Sequence, residues 1–512
     1  MGISLYDLGV KSYLQIIPAV SGFLEKGRSH FEENQRNLDD IVKLRLYDDM
    51  APFTFQHFSV AHHSLGAING LKNGEFNPPN VPRGLDYGAL QDLVSNAEAE
   101  LKALDVDTVN GFEGGEVVFK MGCGCGRSSS FARRKIVKSS SKPGSSSKAA
   151  KKASRSVKSF ENWLEKDLLK RSNRSPHWKP EEIEFYQFTH EHLDEFGVDK
   201  MLEIALKDEI VTRKEMESLA KLIHPSGDLK TVWEKMKDEA PPWDGVLPMA
   251  QSFVDIASSW LMNEGDHVVT IPTYVDYGAM ITAPMGRRAL SFGGATIGPT
   301  VAGRQSGYYI LTPLEDRLSK KEKASRIRSY NPYWTNVISY HEWLGHNVQK
   351  ASANENVTRK MRQLFRSAYF SQSWSFYLEK LLEDEGFFKD RFDYQSSLKH
   401  QMARLQMRMW RIQRIITKLK MAKGEMSFDQ AVQVYIDKIG MEPTNAFIEV
   451  QRDSQTPSPP GREIIGEIAI LQLREEYERR LGNHYSLKRF NDNLLTYGDL
   501  PFKQIRRLMF ND

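Results

Sequence analysis

SYHEWLGHNVQ, residues 339–349, holds His341, Glu342 and His346 within one short helical pattern. Neutral imidazoles are good zinc ligands, and a neighbouring carboxylate can take a proton from an attacking water. In an HExxH motif the two histidines stand one helical turn apart and share a face. Here the spacing is HExxxH. At about 100° per residue, five residues carry the second imidazole roughly 140° around the helix. A regular α-helix therefore does not aim both rings at one ion. Gly345 lies between them, and helices end or bulge readily at glycine. The segment points to a metal centre of altered geometry set in a helical domain.

Helical patterns continue on both sides. They run from Tyr333 to near the C-terminus, and upstream they include ENWLEKDLLKRS, PEEIEFYQFTHEHLDEFG and TRKEMESLAKLI. The stretch from His267 to Pro313 differs. Its glycines, prolines and β-branched residues predict strands and loops.

The helical region is preceded by RSSSFARRKIVKSSSKPGSSSKAAKKASRS. This run is basic, rich in Ser and Gly, and too polar to offset the entropy of ordering. It predicts a disordered linker over 123–158. A solvated tether is the plain reading, and a nuclear-import signal or a contact with an anionic surface are the functional ones. Cys123 and Cys125 open the linker and lack zinc-site spacing.

Residues 1–122 read as a small helical bundle. LYDLGVKSYLQIIPAVSGFLEKGRSHFEE, DDMAPFTFQHFSVAHHSLGAINGLKNG and YGALQDLVSNAEAELKAL carry helical spacing, and GGEVVFKMG is strand-like. His57, His62 and His63 share the second helix, but five and six residues from His57 are not the spacing that shares a face.

Two resemblances refine this picture. SLYD, DDMAPFTFQ and GEVVFKMG resemble domain-of-unknown-function family 1993, which is similar to DinB-like four-helix bundles. That family has one more helix where this chain begins its linker, so the bundle is expected to be truncated. From Ser159 onward the chain resembles domain-of-unknown-function family 885, a zincin-like, mainly helical family with an HExxPGH signature. The matching segments are TAPMGRRALSFGGATIGP with GYYILTP, HEWLGHNVQ, WSFYLEKLLEDEGFF, AFIEVQRDSQTP and RRLGNHYSLKRFNDNLLTYGDLPF. HEWLGHNVQ lacks one residue and the proline of the signature.

The resemblance implies a zinc-type metallopeptidase over 159–512, with His341 and His346 on the metal and Glu342 as general base. Gln372 stands where the family has the Glu expected as third ligand, and Glu379, a heptad later, is the substitute. Lys418 replaces a family Asp, Ala422 a nearby His, Glu463 a Tyr and Asn491 a His. Losing several polar groups together is what a degenerate or redirected site would show.

Other candidates rest on charge. Arg287 and Arg288 could hold a substrate carboxylate, as could Arg452 and Arg414. Arg408, Arg411 and Arg414 recur every three residues and read as an anion strip or a solvated face. His190 and His192 flank Glu191 in what reads as an exposed helix surface.

The overall composition excludes several classes. With 40% hydrophobic and 27% charged residues, the chain is neither fibrous nor wholly disordered. A net charge of +4 gives no argument for nucleic acid, and no apolar run is long enough to span a bilayer. Two cysteines predict a reducing, cytoplasmic compartment. The expected fold is mainly α, with a truncated N-terminal bundle, a linker and a zincin-like domain holding a small β segment. The expected function is zinc-dependent hydrolysis of small peptides or amides. The alternatives are a degenerate binding or scaffold protein, and a metal or acid–base enzyme acting on a specialised metabolite.

Overall fold

A computed structural model describes residues 4–45, 52–77, 81–82, 84–112, 118–119, 155, 158–168, 170, 178–272, 275–280, 293–297, 305–314, 318–350, 352, 367–455 and 459–510. Apart from Arg155 and a short stretch from Lys158, the expected linker region falls outside them. So do Cys123, Cys125, Arg287 and Arg288. The chain separates into two compact units, residues 1–171 and 172–512.

In the first unit α1 (Ser12–Glu33), α2 (Phe53–Asn73) and α3 (Tyr87–Lys102) pack on one another. Leu24, Ile68, Leu90, Val94 and Leu101 lie in the shared core. Gly74 ends α2 in the left-handed conformation, φ 73°, where a side chain would be strained. The Asp86 carboxylate accepts from the Ala89 N–H and starts α3. The strand-like segment supplies β2 (Val118–Phe119), parallel to β1 (Glu75–Phe76). His57 is buried against Phe53, with Nδ1 on the Phe53 carbonyl. His62 packs instead on Phe58 and Phe76.

In the second unit α4 (Val198–Ile223), α5 (Trp243–Met262) and α6 (Pro332–Tyr340) precede a π-helix, His341–Val348. After it come α7 (Ala368–Asp384), α8 (Tyr394–Ala422), α9 (Phe428–Ile439), α10 (Pro443–Gln455) and α11 (Arg462–Leu481). Helix α8 is the axis. It is buried along most of its length and packs against α4, α6, α9, α10 and α11. The β segment forms one small sheet in the order β3–β5–β4. Its central strand β5 (Gln305–Leu311) runs parallel to β3 (Val275–Met280) and antiparallel to β4 (Gly293–Ile297). Strands β4 and β5 pack on the π-helix.

Two sequence readings are corrected here. The arginine strip on α8 is not a solvated face. Arg411 and Arg414 are buried, and ion pairs tie Arg408 to Asp208 and Glu467, Arg411 to Glu379, and Arg414 to Glu449 and Glu463. Repetition every three residues follows a helix face but is silent on what covers it. Nor is THEHLDEF wholly a surface. Glu191 is buried and accepts from Ser367 Oγ (2.5 Å) and Ala368 N–H (3.2 Å), anchoring the start of α7.

Candidate metal centre

Helix α6 begins at Asn331, whose side chain accepts from the Trp334 N–H, with Pro332 in the first turn. At His341 the backbone changes to π-helical i→i+5 bonding. This wider turn stacks residue i+5 over residue i. The HExxxH spacing, misaligned on an α-helix, is then in register. The imidazoles of His341 and His346 stand 5.0 Å apart, centroid to centroid, at 83°. A ligand atom from each of His341, Glu342 and His346 lies within 4.8 Å of the others. Glu342 Oε2 is 4.0 Å from His346 Nε2.

Gly345 makes the turn fit its neighbour. A Cβ there would sit 2.3 Å from Ser375 Oγ and 2.8 Å from its Cα, so no other residue fits without a shift. Helix α7 in turn holds both rings from one face. Ser371, Ser375 and Glu379 recur every four residues. Ser375 Oγ is 3.1 Å and Ser371 Oγ 3.4 Å from His346 Nδ1. His341 Nδ1 lies 2.7 Å from Glu379 Oε1, so an ionised Glu379 accepts from an Nδ1–H, and Arg411 Nη2 donates to the same oxygen at 3.3 Å. With Nδ1 engaged, Nε2 of His341 keeps a free lone pair. This is the carboxylate–histidine arrangement that fixes ring and tautomer in metal sites.

Burial shapes the electrostatics. It holds both imidazoles well below the ordinary histidine range, with Arg411 adding to the effect at His341 and the neighbouring His341 ring adding at His346. Both rings are therefore neutral, the form that binds metal. Burial also pushes Glu379 up to about 7, against the pull of Arg411 and Arg404. Glu463 is buried too, but Arg414, Arg462 and Arg411 outweigh that burial and bring it down to about 2. Its charge is felt by both histidines. Two neutral nitrogens and a carboxylate are a donor set that suits a divalent transition metal, zinc included.

The profile of the family described as "Bacterial protein of unknown function (DUF885)" matches residues 125–509. The chain belongs to this family. A second profile, "Domain of unknown function (DUF1993)", matches residues 5–144. Among solved structures, this chain resembles one described as a "putative lipoprotein of unknown function from Shewanella oneidensis". That match has a TM-score of 0.55 at 18% identity and covers 89% of this chain and 72% of the other. A "putative lipoprotein from Colwellia psychrerythraea" matches with a TM-score of 0.53 at 16% identity, over 88% of this chain and 65% of that one. These likenesses concern the fold. No curated protein matches.

Within the DUF885 unit the proposed site residues separate. His341, Glu342 and His346 come together. Glu379 lies behind them, on Nδ1 of His341, and orients that ring instead of joining the cluster. Gln372 is half-buried on α7, one residue beyond Ser371. Arg414 donates to Glu463 (2.6 Å) and Glu449 (2.8 Å), both buried, so its guanidinium is committed inside the core and not offered to a substrate. Arg452 pairs with the same Glu449 and lies 3.7 Å from Asp453. Ser371 and Ser375 were not singled out from the sequence. Their signal was the four-residue repeat ending at Glu379, visible only once Glu379 was assigned to a histidine.

Proposed function

We propose that the DUF885 unit is a metal-dependent hydrolase of small peptides or amides. The observation that carries this reading is the π-turn, which gathers His341, Glu342 and His346 into one cluster with Glu379 behind it. His341 and His346 would hold the ion through their Nε2 atoms. A bound divalent ion supplies Lewis acidity toward a substrate carbonyl and an attacking water. The Glu342 carboxylate is then the base that takes the proton from that water and returns it to the leaving amine. Glu379 keeps the His341 ring fixed throughout, and Ser371 and Ser375 do the same for His346.

A second reading, a degenerate fold used for binding, is favoured by one feature. The buried Glu463 carboxylate lies near the histidines and is locked to Arg414, so it is not free to move a proton.

Mass spectrometry of metal in the purified full chain, beside His341→Ala and His346→Ala, separates the two. About one zinc per chain, lost in both variants, is expected for the hydrolase. Cleavage of a peptide library that Glu342→Gln abolishes would complete the case. No metal after zinc is supplied sinks it.

A further inference from the structure

Strand β5 lies on the π-helix, and its register determines which residues meet the cluster. A Cβ on Gly307 would lie 2.8–2.9 Å from Asn347 Cγ and Cβ, so this face of the strand is pressed onto the π-helix. Side chains alternate along a strand. Tyr309, two residues on, therefore shares the Gly307 face, while Tyr308 takes the other and is half-buried. On the π-helix, Asn347 is five residues beyond Glu342, so the two stack one turn apart. The strand runs back along the helix, because the Tyr330 hydroxyl, just before α6, donates to the Thr312 carbonyl, just after β5 (3.1 Å); from Gly307 over Asn347 it therefore carries Tyr309 toward Glu342. Electrostatic coupling between the Tyr309 hydroxyl and the Glu342 carboxylate agrees with this placement.

Tyr309 is fully buried, and among the described residues its hydroxyl has no hydrogen-bond partner. A buried hydroxyl without a partner is costly, so a reason for keeping it is needed. Its register partners are small, Ala279 on β3 and Ala295 on β4. Burial pushes its pKa well above the ordinary tyrosine range, so at neutral pH the phenol is neutral and able to donate.

Resting on the metal-site reading above, we propose that the Tyr309 hydroxyl is a substrate-directed hydrogen-bond donor beside Glu342. Its acceptor is the carbonyl oxygen of a bound peptide or amide, which gains negative charge as water adds. The missing partner of the hydroxyl is supplied by the substrate. Glu342 and Tyr309 then supply one acceptor and one donor for that event.

Tyr309→Phe removes only the hydroxyl. In the zinc-loaded full chain we expect unchanged zinc stoichiometry and a thermal midpoint equal to or above that of the wild type. Affinity for a phosphinate analogue of Ala-Ala, measured by calorimetry, should fall at least roughly tenfold, the loss expected when a donor to a charged oxygen disappears. Unchanged phosphinate affinity with zinc retained overturns the role of Tyr309 and leaves the metal site standing. A lowered thermal midpoint would mark the hydroxyl as a structural group and overturn it as well. A wild-type chain that takes up no zinc overturns both readings.

Discussion

His341 Nδ1 and Glu379 Oε1 lie 2.7 Å apart inside the core, on the π-helix and on α7 respectively. Thirty-eight residues of chain separate them, yet this contact decides which imidazole nitrogen is left for a metal. Glu379 is also the link from the cluster to Arg411 and the buried charges of α8.

Glu379→Gln keeps an acceptor oxygen but removes the charge that supports the His341 N–H. Zinc affinity, measured by competition with a chromogenic chelator, should fall roughly 10- to 100-fold, as for other partners of ligating histidines. Equal affinity would show that the ring needs no carboxylate behind it. Complete loss of zinc would show that Glu379 is itself a ligand.

Gly345→Ala forces a Cβ into Ser375. The π-turn or α7 must move, at a cost of about 1–3 kcal/mol as for other overpacked sites, and zinc binding should weaken with it. Adding Ser375→Gly removes the contacts with Oγ and Cβ but not the 2.8 Å approach to Cα. Partial recovery of stability in a urea titration is therefore expected. A single variant as stable as the wild type would mean that the turn does not depend on this contact.

The helical character of the second unit was legible because apolar periodicity is a local property. The β segment was legible from its glycines and β-branched residues. What the sequence withheld is a change of helical pitch. Assigning about 100° to every residue separates His341 from His346, and only the π-turn reunites them. Burial of charge was hidden for a related reason. Arg411 and Arg414 look like surface residues by type, and their partners Glu379, Glu449 and Glu463 lie 32, 35 and 49 residues away in the chain.

Arg414 offers a sharp test of that buried network. Arg414→Met removes the cation that Glu449 and Glu463 share, leaving Glu449 to Arg452 and Glu463 to the fields of Arg462 and Arg411, and unfolding free energy should drop by about 3–5 kcal/mol. Replacing both carboxylates as well, with Glu449→Gln and Glu463→Gln, should recover most of the loss, because the penalty lies in the orphaned charges. The pH dependence follows from Glu463, whose carboxyl is held at about 2 in the fold. A depressed carboxyl stabilises the fold above its ordinary value and stops doing so as pH falls toward 2. Wild type should therefore lose stability over that acid window more steeply than the triple variant. Parallel curves would remove the ion pair from the account.

His400 gives a second pH signature, independent of the His341–Glu342–His346 cluster. Its ring sits among Phe392 at 4.0 Å, Tyr333 at 5.0 Å and Phe388 at 5.4 Å, with Nδ1 3.2 Å from Asn336 Nδ2. Burial lowers it to about 3. An unfolded histidine titrates near 6.5, so on acidification the unfolded chain takes up this proton first. The stability owed to the neutral ring is intact above about pH 6.5 and falls below it, by up to about 1.4 kcal/mol per pH unit, until the folded ring protonates near 3. His400→Phe removes that slope. It also leaves Asn336 without its partner, a cost of about 1–3 kcal/mol that does not vary with pH. The informative quantity is thus the slope of unfolding free energy between about pH 6.5 and pH 5, where the histidine takes up its proton in the unfolded chain. A shallower slope in the variant, by close to one proton, is expected. Identical slopes would mean that His400 is protonated in the folded chain, and that its aromatic surroundings do not exclude the charge.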